Sequence, residues 1–460
     1  MWPQFVRCSV ALLVALYLVR LLGAAWPHYP LTFPDSFSFL KVARNGPLHP
    51  SFYFDERPIG FPLLAWSVGR SPSLIVVAQS LLYVSAFYAL ARVLTRELSS
   101  RLVGFVAVVF LIALAIEPRN SMWNTLVLSE SVSNSFAVLT IAAWLRAATR
   151  PSRSTIRWAW LATAAWVLAR DSNVLPTMIV LVPTAVVIAI VVRNREHRIA
   201  RALLSGAVIL ALVCGYAYVA QAASHRNIYP LFNNMGTRIL PDPALTKWFV
   251  GQGMPMNDAV RARTGHNTWD DNEAFLRAPD LARTRSWVKG PGSRVFALSL
   301  VVRAPDWWRR LHHDLPNTLA YKDDAYDNFH VADRLSNSMT APLGEPRTSG
   351  GLFAGIVLSA GSIALMLIER RRRLVAIFCA AMLVSTFVDV YVSYAGDSVE
   401  FQRHLVGPLL RVSVMFVVTI ALGADTAVRL VRERRVAKRL VPETDPGDPS
   451  ADAAKSEEHV

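Results

Sequence analysis

Nine ionisable residues stand where charge is costly, at or just beyond the ends of long apolar runs. Asp35 lies in Phe33-Pro34-Asp35-Ser36, and Glu130 in Leu128-Ser129-Glu130-Ser131. Arg57 precedes Pro58-Ile59-Gly60-Phe61-Pro62. Arg170 and Asp171 are adjacent, and Asp397 and Glu400 come just before Arg403 and His404. Carboxylates can hold or take a proton, and guanidinium groups grip phosphate with two parallel hydrogen bonds. Each residue also has a plainer reading. Asp35 can cap a helix over Ser36 to Arg44. Glu130 can be a hydrogen-bonded carboxylate between helices. Arg57, Arg170 and Arg403 can snorkel to a membrane surface.

The elements that must position these groups are membrane helices. The chain has 460 residues, of which 53% are hydrophobic and 18% charged. The apolar residues come in long runs rather than alternating with polar ones. A run of about 18 or more can cross the hydrocarbon as a helix. A helix satisfies its own backbone there without partner strands, so the expected class is an all-α integral membrane protein rather than a barrel. Runs fall at residues 5–25, 74–94, 102–116, 126–145, 158–169, 174–192, 202–222, 352–368, 374–394 and 405–424, predicting about ten spans. The first, with Arg7 before it and Gly23-Ala24-Ala25 after it, reads as an uncleaved span rather than a signal peptide.

The net charge of +15 is a topology signal. Basic clusters follow every second span: Arg92 and Arg96; Arg146 to Arg157; Arg193 to Arg201; Arg370 to Arg373; Arg429 to Arg439. The positive-inside rule then puts both termini in the cytoplasm of a plasma-membrane protein. Residues 26–73, Glu117 to Asn124, Arg170 to Asn173, 223–349 and Gly396 to His404 fall on the outer face. Every group named in the opening paragraph except Glu130 lies in one of these, and Glu130 sits at the outer end of its span. The expected organisation is a membrane core over 1–222, an extracytoplasmic segment over 223–349, three further spans over 350–428, and a basic then disordered tail over 429–460. Residues Val295 to Leu311 predict an amphipathic helix on the membrane, with Trp307, Trp308, Arg309 and Arg310 as an interfacial anchor. No basic soluble face exists, which excludes nucleic acid as a partner. Cys8, Cys214 and Cys379 lie inside apolar runs with no CxxC spacing, so neither a disulfide framework nor a zinc site is expected. His225, His266, His312, His313 and His330 show no HxxxH spacing, and no metal ligand is assigned.

The stretch from Phe33 to Trp66 resembles the first outer loop of the GT-C superfamily of membrane glycosyltransferases, which use polyprenyl-phosphate-linked sugars. The family pattern has an acidic residue after span 1, then an amphipathic helix, then an Arg-Pro-x-Gly-Tyr-Pro-like entry to the next span. Here these are Asp35, Phe37 to Arg44, and Arg57-Pro58-Ile59-Gly60-Phe61-Pro62. Leu128-Ser129-Glu130 is similar to the acidic position near span 4, and Ala169-Arg170-Asp171 falls where the family often has Thr-Arg-Pro. Glu400-Phe401-Gln402-Arg403-His404 resembles a late element of related actinobacterial proteins. An actinobacterial source also fits the Arg-heavy composition: of 48 basic residues, six are Lys. The resemblance covers about the first 190 residues and a short C-terminal piece. Residues 223–349 match no known pattern. Asp35-Ser36 stands where an Asp-Glu pair is frequent.

The resemblance implies a GT-C-like fold and transfer of a sugar from a polyprenyl-phosphate donor to a glycan, lipid or protein acceptor at the outer bilayer surface. It implies Asp35 as general base, with Glu130 holding the acceptor or orienting an arginine. Arg57, Arg170 and Arg403 would bind phosphate, and Asp171, Glu400 and His404 would contact substrate. A divalent metal is permitted and not required. The rival classes are a transporter or flippase of lipid-linked glycans, and a catalytically inactive relative acting as a scaffold. A transporter would show inverted repeats and Gly/Pro-broken spans near the midplane. The spans here are mostly uninterrupted, and the charges gather at one face.

Overall fold

A computed structural model describes residues 32–193, 196–224, 226, 228–320, 348–399 and 401–440. The first predicted span, Glu400, His225, His330 and the acidic tail therefore lie outside the described residues. Among those described, the chain is helical with no strand. The long helices are α3 (Pro72–Glu97), α4 (Arg101–Ile116), α5 (Ser129–Thr149), α6 (Arg153–Ala169), α7 (Asp171–Val192), α8 (His197–Ala223), α11 (Ser349–Ile368), α12 (Arg373–Gly396) and α13 (Phe401–Leu440). They are preceded by α1 (Pro34–Asn45) and α2 (Gly60–Ser67). Between α8 and α11 come α9 (Ile228–Asn234), several short turns of helix, and α10 (Ala304–Ala320).

Each predicted span from the second to the tenth falls on one of the long helices. Six of them, α3, α7, α8, α11, α12 and α13, are long and apolar enough to cross a membrane. The six apolar helices mark a multi-pass membrane protein, helical among the described residues. A seventh crossing would join α4 to Arg119–Thr125 through a 60° bend. α5 falls short of the same measure because its first two turns are polar: Ser129, Glu130, Ser131, Ser133, Asn134 and Ser135 are all buried.

α5 lies against α3 and α6, and α13 against α4, α11 and α12. The hydrophobic stretch of α13 is 89% buried, against 11% for that of α11, so α13 is the central post and α11 an outer one. Gly355 and Gly423 let α11 and α13 approach closely, with Phe416 and Ser362 filling the space a side chain would take. A second group, α6, α7 and α8, packs through small residues such as Ala159, Ala185, Ala207 and Gly206. Helix starts follow local chemistry: Ser152 and Thr155 form a reciprocal capping box at α6, and the Thr348 hydroxyl caps α11.

α1 begins at Pro34, two residues earlier than the capping reading of Asp35 requires. Ser36, not Asp35, closes the turn, its hydroxyl accepting from the Phe33 amide. The Asp35 carboxylate is left to face other elements.

The segment after α8 folds on its own core of Leu231, Phe232, Phe249, Phe275, Trp287 and Trp307, resting on Ala395 at the end of α12. The predicted single amphipathic helix is two, Ser293–Val302 and α10. Trp307 is core rather than anchor: it is fully buried, edge-on to Phe296 at 5.8 Å. Arg310 pairs with Asp242. Trp308 stays exposed.

The turn leading into α5 depends on one amide. Gln79 of α3 is fully buried, and its Nε2 donates to the carbonyls of Asn124 at 2.8 Å and Leu126 at 2.7 Å, with Trp123 at 3.3 Å. Gln79→Leu leaves these buried carbonyls without a donor. The expected cost is about 2–4 kcal/mol, seen as a lower thermal midpoint in detergent. An unchanged midpoint would show that the turn is held otherwise.

Candidate functional site

Most of the groups predicted from sequence converge where α1, the loop around Arg57, α5, the α6–α7 junction and the start of α13 meet. Arg57 Nη2 donates to Asp35 Oδ1 at 2.6 Å, and Arg403 Nη2 to Asp35 Oδ2 at 3.1 Å. Arg403 Nε reaches Glu130 Oε1 at 2.8 Å. One guanidinium therefore bridges the two carboxylates. Arg170 Nη2 lies 3.9 Å from Glu130 Oε1 and 2.9 Å from His404 Nδ1. His404 Nε2 lies 4.0 Å from Asp397 Oδ2, and Asn233 of α9 donates to Asp397 Oδ1 at 3.0 Å. Six of the predicted site residues, Asp35, Arg57, Glu130, Arg170, Arg403 and His404, thus form one continuous network.

Local sequence sets each position. Arg57 lies in the loop before α2, its Nε donating to Ser38 Oγ at 2.6 Å and its guanidinium 4.8 Å over the Phe39 ring. Gly60 follows because nothing larger fits. A Cβ there would stand 2.7 Å from the Leu168 carbonyl oxygen and 2.8 Å from Ala169 Cα. The Arg-Pro-x-Gly pattern thereby locks the Arg57 loop onto the end of α6, immediately before Arg170. Arg170 itself is extended, with φ −151 and ψ 142, and breaks the helix so that α7 starts in a new direction. Asp171 joins the site less directly. Its Oδ1 lies 3.4 Å from Nη2 of Arg226, a residue the sequence reading passed over.

Below this layer Gly407 and Arg411 continue the Arg403 face of α13 at four-residue spacing. Asn134 continues the Glu130 face of α5. A Cβ on Gly407 would stand 2.8 Å from Asn134 Oδ1. Arg411 pairs with Asp389 of α12, both buried. This pair was also passed over, although a lone charge inside each of two apolar runs was a usable signal.

Burial alone would raise the Asp35 pKa, but the guanidinium groups of Arg57 and Arg403 outweigh it and hold the carboxyl below its ordinary value. For Asp397 burial prevails and the pKa is raised, despite hydrogen bonds from Val399 and Asn233 and the charge of Arg238. Glu130 Oε2 is buried with no hydrogen-bond partner among the described residues. Among those residues no group of three His, Cys, Asp or Glu side chains could hold a metal ion. The oxygens of Asp35 face two guanidinium groups, a poor setting for a cation.

No protein-family model matches the chain, and no curated protein matches it in sequence. Among solved structures it is similar to the archaeal oligosaccharyltransferase AglB from Archaeoglobus fulgidus, in complex with an inhibitory peptide and a dolichol-phosphate. The TM-score is 0.40 and the identity 14%, over 94% of this chain and 52% of that one. The chain spans about half the length of that protein, and a likeness this slight carries no argument about activity.

The depressed pKa makes a directional prediction. The ionised Asp35 contributes stability that is fully present above the ordinary aspartate value and is lost as pH falls through its lower native value. Arg57→Gln removes one opposing charge, so burial weighs more and the native pKa rises. Acid-induced loss of folded protein, followed by size-exclusion after incubation across a pH series, should then begin at higher pH in Arg57→Gln than in wild type. Coincident curves would mean that Arg57 does not set the Asp35 charge.

Proposed function

We propose that the protein is a GT-C-type membrane glycosyltransferase, moving a sugar from a polyprenyl-phosphate donor to a cell-envelope acceptor. The observation that carries this reading is the bridge from Arg403 to Asp35 and Glu130, with Arg57 and Arg170 on either side. Two carboxylates and three guanidinium groups gather at one end of apolar helices, which in the proposed orientation is the level at which a lipid phosphate meets water.

In the proposed reaction an acceptor hydroxyl oxygen attacks the anomeric carbon from the face opposite the phosphate. The bond from that carbon to the phosphate oxygen breaks, and its electron pair leaves with the phosphate. The hydroxyl proton passes to Asp35, and the configuration inverts. Arg57, Arg170 and Arg403 would neutralise the charge that grows on the phosphate. The phosphate competes with Asp35 for Arg57 and Arg403, so donor binding frees the carboxylate to act as base. Glu130 would hold Arg403 in place and offer its unpartnered oxygen to the acceptor. Asp171, Glu400 and His404 would complete the substrate surface.

The accompanying architecture is also a proposal. It comprises about ten spans with both termini in the cytoplasm of a plasma-membrane protein and the site on the outer face. The membrane core would cover 1–222 and 350–428, with 223–349 as an extracytoplasmic segment. One observation favours an inactive scaffold instead: both oxygens of Asp35 already meet arginines, as in a purely structural ion pair.

Sugar transfer from a panel of radiolabelled polyprenyl-phosphate sugars separates the two. The enzyme reading expects transfer by wild type and a loss of about 10²–10⁴-fold in folded Asp35→Asn. Equal rates would remove Asp35 as base. No transfer from any donor, with Asp35→Asn rescuing cells that lack the protein, would establish the scaffold.

A further inference from the structure

An exposed aromatic pair is joined to the charged site by a short relay of hydrogen bonds. Tyr229 of α9 and Trp269 stack with ring centroids 5.5 Å apart and planes 11° from parallel. Trp269 is 56% exposed although Tyr229 covers one of its faces. The other face is open.

The pair is held by polar groups. The Trp269 amide donates to Asn267 Oδ1 at 2.8 Å, and Asn267 in turn donates from its backbone and side-chain nitrogens to Asp270. The next three residues, Asp271, Asn272 and Glu273, all have left-handed backbone, with φ of 50, 57 and 61. Such a run of non-glycine residues is costly and persists only where its surroundings enforce it. Here Arg263 donates to Asp271 at 2.5 Å, and His266 Nδ1 lies 3.3 Å from the same carboxylate oxygen. The strained turn directly follows Trp269, and His266, Asn267, Asp270 and Asp271, which flank it in the chain, are fixed by their own hydrogen bonds and ion pairs.

A bonded path ties this platform to the site. Thr268 Oγ1 donates to the Tyr229 carbonyl at 3.2 Å, and the Thr268 amide donates to Asn233 Oδ1 at 2.9 Å. Asn233 donates to Asp397, which lies beside His404. The platform is therefore coupled through Asn233 and Asp397 to the His404 side of the charged site.

We propose that the open face of Trp269, backed by Tyr229, binds a saccharide unit of the acceptor, which makes the acceptor a neutral glycan. The assignment rests on the glycosyltransferase reading. A sugar ring carries C–H groups on one face and hydroxyls around its edge. A flat indole matches the first, and His266, Asn267, Asp270 and Asp271 match the second. Aromatic residues also settle at membrane surfaces, but the sequence around this ring, His266-Asn267-Thr268-Trp269-Asp270-Asp271-Asn272-Glu273, has no aliphatic side chain to enter lipid.

The test is binding, not turnover. The full chain in phosphatidylcholine nanodiscs is titrated with short neutral oligosaccharides of mannose, arabinose and glucose, read by saturation-transfer NMR. Wild type should bind at least one of them. Trp269→Ala should weaken binding by about tenfold, equivalent to ~1.4 kcal/mol of lost stacking, with Trp269→Phe retaining most of it. Absence of binding to wild type, or equal binding by a folded Trp269→Ala, overturns the proposal. So does quenching by brominated lipid that disappears in Trp269→Ala, which would place the ring in the bilayer. Binding that depends on Trp269 in a protein that transfers no sugar would sink the enzyme reading and leave the glycan site standing.

Discussion

A buried guanidinium between two carboxylates is the constraint on which the rest of this structure turns. The Arg403 side chain is 6% exposed, and an ion in that setting is tolerated only if its charge and its hydrogen-bond donors are matched. Asp35 and Glu130 supply the match from two different elements. Placing Arg403 on the central helix α13 thereby dictates where α1 and the first turn of α5 must lie. Gln79 then holds the turn that delivers Glu130, and Gly60 permits the contact that brings Arg57 beside Arg170. The packing of small residues elsewhere is consistent with this demand, because it leaves the polar layer undisturbed.

The opposite end of the bundle is fastened by a second cluster. Asp425, fully buried on α13, accepts from the amides of Ser99 and Ser100 and from the Ser99 hydroxyl, and pairs with Arg372 at 2.5 Å. Arg372 also donates to the Leu422 carbonyl, and Arg429 pairs with Glu369. These contacts tie α13 to the α3–α4 turn and to the α11–α12 turn. Glu369 is shared by Arg372 and Arg429, so here too an arginine stands between two carboxylates. Both ends are fastened by buried arginine–carboxylate contacts, and the site end differs in drawing its groups from α1, the Arg57 loop, α5, the α6–α7 junction and α13.

Much of the site was legible because apolar surroundings make charge conspicuous. Asp35, Glu130, Arg170 and Arg403 each interrupt or border an apolar run, and membrane depth leaves few reasons for such residues. Pairing was not legible. Nothing local in the chain says that Arg403 bridges Asp35 and Glu130, or that Arg226 serves Asp171, since these partners meet only through tertiary packing. The helix positions were legible for the same reason as the charges. The polar opening of α5 fell inside the fourth predicted span, but the burial of its six polar residues was not legible, since their partners come from other parts of the chain. Trp307 shows the converse. Its Trp-Trp-Arg-Arg context resembles a surface anchor, and only the fold of 228–320 buries it.

The bridge also has a consequence in time. Asp35 and Arg403 are separated by 368 positions in the chain. A ribosome feeding helices into a bilayer delivers Asp35 with the first loop and Arg403 only as the last long helix emerges. Until then Asp35 and Glu130 confront Arg57 and Arg170 without the group that joins them. The cluster is therefore closed only after α13 has been made, and a chain halted before α13 holds Asp35 and Glu130 without the guanidinium that joins them.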